Sequence, residues 1–182
     1  PMQRLLHGEV GAGKTLVALL AMATVVDSGG QAVLLAPTEV LAAQHHASIS
    51  ALLGELAEAG TLLGGSTGTQ VVLLTGSASA ASRREALLKI VSGEAGIVVG
   101  THALLNEAVQ FADLGLVVVD EQHRFGVEQR AALLERGSGT SRPHLLVMTA
   151  TPIPRTVAMT VFGDLDVTTL RELPAGRAGV ST

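Results

Sequence analysis

The stretch LGLVVVDEQHRFGVEQR, Leu114 to Arg130, joins an apolar run directly to a dense polar cluster. Leu114 to Val119 carries no polar side chain, as befits a strand covered on both faces. Asp120 and Glu121 follow at once, then Gln122, His123 and Arg124. Similar apolar runs recur, each followed by a helix-like segment. RLLHG leads into KTLVALLAMATVVD, AVLLA into VLAAQHHASISALLGELAEA, and VVLLT into ASRREALLKIVSG. GIVVG leads into HALLNEA, GLVVV into VEQRAALLERG, and HLLVMTA into RTVAMTVFG. This alternation predicts an α/β fold, a mostly parallel sheet with helices on both faces. Functional loops of such a sheet lie at the carboxyl ends of its strands, and the polar clusters fall there. GTLLGGSTGTQ, Gly60 to Gln70, predicts a surface loop before a strand.

The totals fit one domain with a full hydrophobic core: 182 residues, 47% of them apolar. No segment reads as a membrane span, and Leu16 to Val26 follows a glycine-rich loop rather than a leader. No membrane partner is expected. The absence of cysteine excludes disulfides and thiolate metal sites and fits a cytoplasmic location. A net charge of −4 gives no global basic field for nucleic acid, and 2% aromatic content gives no platform for stacking bases. Any nucleic-acid contact must then be local, through backbone amides and a few arginines. The chain starts almost on its first motif and ends in PAGRAGVST, so both ends are expected to continue into a longer protein.

GEVGAGKT, Gly8 to Thr15, matches the phosphate-loop pattern G-x-x-x-x-G-K-[ST] in full. Gly8, Gly11 and Gly13 let the backbone curl so that amides converge on phosphate oxygens, with Glu9, Val10 and Ala12 between them. The following helix adds the positive end of its dipole. Lys14 is placed to reach the β- and γ-phosphates of ATP, and the Thr15 hydroxyl to ligate Mg²⁺. The alternative is a glycine-rich turn with an incidental lysine. An apolar strand before the loop and an amphipathic helix after it argue against that.

A phosphate loop explains the paired carboxylates. Asp120 would hold Mg²⁺, and Glu121 would polarise the water that attacks the γ-phosphate. Acids at a helix N-terminus are the plainer reading, but that leaves the pairing with Gly8 to Thr15 unexplained. A histidine metal centre fits poorly: the six histidines are scattered, and the adjacent His45 and His46 diverge on a helix.

Three further clusters end strands. TATPIPR, Thr149 to Arg155, offers two hydroxyls, Thr149 and Thr151, near the expected place of Glu121. APTEVLAAQH, from Ala36, and GTHALL, from Gly100, offer Thr38, Thr101 and neighbouring amides for a nucleic-acid backbone. Taken singly, Thr38 and Thr101 are ordinary helix starts; their value lies in their order on successive strands.

The ordered set GEVGAGKT, APTEVLAAQH, LLTGS, GTHALL, DEQHRFG and TATPIPR resembles the first motor domain of superfamily-two DNA helicases. DEQHRFGVEQR, TATPIPRTVAMTVFGDLDV and ELPAGR resemble more closely the RecG family of branched-DNA translocases. The related transcription–repair coupling translocases share HRFG and TATPIPR, but usually have Glu at the position of Gln122 and a different stretch in place of ELPAGR. Glu9 stands where the RecG family more often has Asp.

The resemblance implies a RecA-like P-loop NTPase domain over residues 1–172 and the start of an interdomain linker over 173–182. It implies that Lys14 and Thr15 bind ATP and Mg²⁺, and that Asp120 and Glu121 carry hydrolysis. By the same resemblance Gln122 and His123 sense the γ-phosphate, Thr149 and Thr151 couple that cleft to DNA movement, and Thr38 and Thr101 touch DNA. The implied partners are branched or double-stranded DNA, a DNA-wedge domain and a second motor domain that supplies an arginine finger. The implied activity is ATP-dependent remodelling of stalled forks and Holliday junctions in recombination and repair. Because such a finger is worth roughly 10³–10⁵ in rate, this chain alone is expected to bind MgATP but hydrolyse it poorly. A transcription–repair motor half and a non-catalytic nucleotide-binding fragment are the alternatives. A small-molecule P-loop kinase leaves TATPIPR unexplained.

Overall fold

The computed structural model describes residues 2–9, 12–58, 69–120, 127–137, 141–151 and 165–170. They form a parallel sheet with helices on both faces, as the alternating pattern predicts. The strands are β1 (Gln3–Gly8), β2 (Gln31–Leu35), β3 (Gln70–Leu74), β4 (Ala95–Gly100), β5 (Leu114–Asp120), β6 (His144–Thr149) and β7 (Asp166–Leu170). The helices are α1 (Lys14–Asp27), α2 (Glu39–Glu58), α3 (Ala80–Ser92) and α4 (Val127–Leu134). Across the sheet the order is β3-β4-β2-β5-β6-β1-β7, and every pairing is parallel.

Strand side chains alternate between two cores. Val33, Leu35, Val117, Val119, Leu145 and Val147 share one with Ala86 and Ile90 of α3 and Leu133 of α4. Leu34, Leu116, Val118, Leu146 and Met148 share the other with Leu19 and Met22 of α1 and Ala42 and Ile49 of α2. A period of two that is apolar on both parities requires a helix layer on each face. Burying a Leu or Val side chain contributes roughly 1.5–3 kcal/mol, which is why the central strands hold the sheet together.

One buried polar residue ties several elements. Gln31, 2% exposed, opens β2. Its side-chain NH₂ donates to the carbonyls of Ile90 and Ala95 at 2.8 and 2.9 Å. Its side-chain oxygen accepts the amides of Ala112 and Asp113 at 2.7 and 3.0 Å. Every hydrogen-bonding position of the carboxamide is used, so burial carries no desolvation debt.

Two elements differ from expectation. HALLNEA is a single 3-10 turn, His102–Leu105, rather than a helix. The amide of Ala108 donates to Asn106 Oδ1 at 2.9 Å, a local bond that competes with helix continuation. Arg136, just past α4, then donates to the carbonyls of Leu104, Leu105, Asn106 and Val109 at 2.6–3.2 Å. The second difference is β7, whose segment DVTTL the apolar pattern did not single out. It pairs along β1 at the sheet edge, where backbone bonds rather than burial define the strand.

The surface loop expected at 60–70 lies mostly outside the described residues, as do the helix expected from RTVAMTVFG and the proposed linker at 173–182. Among the described residues no helix is long and apolar enough to cross a membrane.

Candidate functional site

Strand β1 ends at Gly8, and the chain turns back at once. The amide of Ala12 donates to the carbonyl of Glu9 at 3.0 Å, and Gly13 enters α1 with φ +90°. That left-handed conformation favours glycine. Gly8 is constrained differently: a Cβ there would lie 3.1 Å from Leu170 Cβ and 3.2 Å from Ala12 Cβ. Val10 and Gly11 fall outside the described residues. Lys14 and Thr15 open α1. The Lys14 ammonium folds back over the loop and donates to the carbonyls of Gly8 and Glu9, at 2.6 and 3.0 Å. The loop thus holds a cation over its own carbonyls.

Strands β1, β6 and β5 are neighbours, so the loop after β1 shares one edge of the sheet with Thr149 and Asp120. His7 is in register with Thr149, and Met148 with Asp120. With strands about 4.8 Å apart, Asp120 stands two strand widths from the phosphate loop, a span of about 10 Å. Asp120 continues the parity of Leu116 and Val118, toward the face that α1 and α2 cover. There its Oδ2 lies 2.6 Å from Nε2 of His45, with both side chains largely buried, at 12% and 14% exposure.

Sequence reasoning missed His45. The available signal was helical spacing, because Ala42 and Ile49 of α2 are both in the core and His45 shares their stripe at i+3 and i+7. The adjacent ring diverges as expected: His46 Nε2 lies 3.2 Å from the carbonyl of Val71. Among the described residues no three His, Asp or Glu side chains gather as a metal cage. Magnesium held by one carboxylate, one hydroxyl and phosphate oxygens needs none.

Thr149 is buried, and its Oγ1 accepts the amide of the exposed Thr151 at 3.1 Å. The two threonines therefore form one local turn at the end of β6. Glu121, Gln122 and His123, with Arg124 and Phe125, lie outside the described residues.

The other half of the edge is built by β2, β4 and β3. Thr38 is exposed, and its hydroxyl accepts the amide of Leu41 at 3.2 Å, capping α2. In the first turn of α2, Glu39 grips the loop after β3. The Ser77 amide donates to Oε1 at 3.0 Å and the Ser77 hydroxyl to Oε2 at 2.7 Å. These bonds hold the Glu39 carboxyl below the usual glutamate range, the Ser77 hydroxyl acting most strongly. Thr101 departs from expectation. It is 1% exposed and its hydroxyl has no hydrogen-bond partner, so this strand end presents the exposed His102 instead. β4 runs deep between two neighbours, which is why the threonine that closes it is swallowed.

Comparison with known proteins places this edge in context. Over 182 residues the chain is 62% identical to the ATP-dependent DNA helicase RecG of Mycobacterium bovis, covering 100% of this chain and 25% of that protein. The RecG helicase of Streptococcus pneumoniae is 50% identical over 181 residues, again 25% of its length. The chain thus spans about a quarter of the length of these relatives. A structure of RecG bound to a three-way DNA junction superposes with a TM-score of 0.75 at 38% identity, over 98% of this chain and 22% of that one. A DEAD box protein from Methanococcus jannaschii shares the fold at 19% identity, with a TM-score of 0.64 over 93% of this chain and 46% of its own. The DEAD/DEAH box helicase family profile matches residues 2–160, and the chain belongs to that family.

Proposed function

We propose that this chain is the ATP-binding motor unit of an ATP-dependent DNA helicase that acts on branched DNA, at stalled forks and Holliday junctions. The observation that carries this is the shared edge of β1, β6 and β5, which aligns the phosphate loop, Thr149 and Asp120 in strand order. Identity to RecG helicases along all 182 residues favours this over a transcription–repair coupling motor.

In this reading the loop from Gly8 to Thr15 cradles the phosphates of ATP, and Lys14 exchanges its carbonyl partners for β- and γ-phosphate oxygens. The Thr15 hydroxyl and the Asp120 carboxylate would hold Mg²⁺, a hard cation suited to oxygen donors. When bound, the ion would supply charge neutralisation at the transferred phosphoryl group. Glu121 polarises the attacking water, while Gln122 and His123 sense the γ-phosphate. Thr149 and Thr151 carry the nucleotide state toward DNA. Thr38 and the exposed amides of the neighbouring strand ends meet the DNA backbone; Thr101, buried with its amide and carbonyl bonded to Leu74 and Leu104, supports that end without touching DNA. A second motor domain and a DNA-wedge domain would complete the machine, the former supplying an arginine that stabilises the transition state.

The test is ATP binding and hydrolysis by this chain, with and without a three-way DNA junction, beside a Lys14→Ala control. MgADP binding that Lys14→Ala abolishes, with turnover close to that control, is the expected result. A chain that binds no nucleotide sinks the reading. DNA-stimulated turnover abolished by Lys14→Ala would instead overturn the requirement for an arginine from another domain.

A further inference from the structure

We infer that His45 is a positioning residue for Asp120, holding its carboxylate in the orientation that binds magnesium. The inference rests on the proposed role of Asp120. Its own evidence is geometric. Asp120 ends a central strand with its side chain 12% exposed, so few waters can orient the carboxylate. His45 comes from α2, a different element, and meets Oδ2 at 2.6 Å. An ionised carboxylate only accepts hydrogen bonds, so the imidazole carries its proton on Nε2 and donates. That bond commits Oδ2 and fixes the rotation of the carboxylate about its last bond. Magnesium demands near-ideal octahedral geometry, and a carboxylate free to rotate must be ordered each time the ion binds.

The location of His45 gives the contact a second consequence. α2 is capped by Thr38, and His45 lies seven residues further on, two turns along the helix. One rigid element thus joins the proposed DNA-contacting strand end to the proposed metal carboxylate.

The experiment is ADP affinity of this chain in magnesium and in EDTA, for the unsubstituted protein, His45→Ala, His45→Gln and Lys14→Ala. The ratio of the two affinities isolates the contribution of the ion. His45→Ala is expected to reduce that ratio about tenfold, the lower end of the effect of removing groups that orient metal ligands, with the EDTA affinity unchanged. His45→Gln should restore most of it, because the carboxamide NH₂ can donate from a similar reach. An unchanged ratio in His45→Ala overturns the inference, and so does an equal loss in magnesium and EDTA, which would mean general damage to the loop. The underlying reading fails separately. An unsubstituted chain that binds ADP equally in both media refutes magnesium at Asp120, and one that ignores ADP refutes the nucleotide site. Loss of binding in Lys14→Ala under both conditions separates phosphate contact from ion contact.

Discussion

The ammonium of Lys14 donates to the carbonyl of Gly8 at 2.6 Å, so the phosphate loop keeps its cation in place without a ligand. Removing the side chain takes away two bonds near the surface, and water can take the place of the ammonium at the freed carbonyls. Lys14→Ala should therefore leave the nucleotide-free thermal midpoint nearly unchanged. With ADP the same substitution should lose most of the ligand-induced rise. A charge-assisted hydrogen bond of about 1.5–3 kcal/mol corresponds to roughly 10–100-fold in affinity. Differential scanning fluorimetry across an ADP series checks both halves. A full thermal shift in the variant would mean that the loop binds without its lysine.

Gln31 is expected to be the most sensitive polar residue of the core. Gln31→Ala strips the acceptor from the amides of Ala112 and Asp113 and a donor from the Ala95 carbonyl. Each buried group left without a partner costs about 1–3 kcal/mol, so a loss of about 3 kcal/mol in urea unfolding is expected. A loss below about 1 kcal/mol would show that water or a shifted backbone replaces the carboxamide.

Much of this fold was legible because its physics is local. Leu116 to Val119 are apolar on both parities, and only a sheet covered on both faces buries all four. The turn into α1 was legible for a similar reason: the left-handed Gly13 and the lysine after it are fixed by adjacent residues. What escaped depends on long-range order. DVTTL is too polar to stand out as an apolar run and becomes β7 because β1 offers it a free edge. His45 lies 75 residues from Asp120, and their contact follows only once β5 is known to sit beside β2. The burial of Thr101 likewise reflects the strands on either side of β4, which its own sequence does not announce.

Glu39 supplies a pH-dependent contact. Its carboxyl titrates below the usual glutamate range because the Ser77 hydroxyl, and then the Ser77 amide, stabilise the charged form. For a depressed acid the sign is fixed: the contact is fully present above the unfolded-state pKa and is lost as pH falls through the lower folded value. The window therefore lies on the acid side of the normal glutamate range, and the grip on the loop is intact at neutral pH. Carbonyl-carbon NMR of Glu39 should give a midpoint below that of an exposed glutamate, and Ser77→Ala should move it upward. An unmoved midpoint would assign the depression to some group other than the Ser77 hydroxyl.

Gly100 closes β4 in a space that admits no side chain. A Cβ there would collide with the carbonyl oxygen of Leu74 and come within 2.9 Å of both Cγ and Cδ1 of Leu104. The carbonyl cannot withdraw without disturbing the β3–β4 pairing, whose register ends at Leu74 and Gly100. Leu104 is fully buried in the core beneath α3 and α4. Gly100→Ala should therefore cost about 2–3 kcal/mol, the upper range for overpacking. Gly54 is the matched control: it lies within α2, and an added Cβ meets no described atom within 4 Å. Alanine there should raise stability by about 0.5–1 kcal/mol through lower chain entropy in the unfolded state. Urea unfolding of the two variants beside the parent decides the matter. If Gly100→Ala unfolds at the parental midpoint, the β4 end is looser than its contacts imply, and the strand end carrying Thr101 and His102 has room to move.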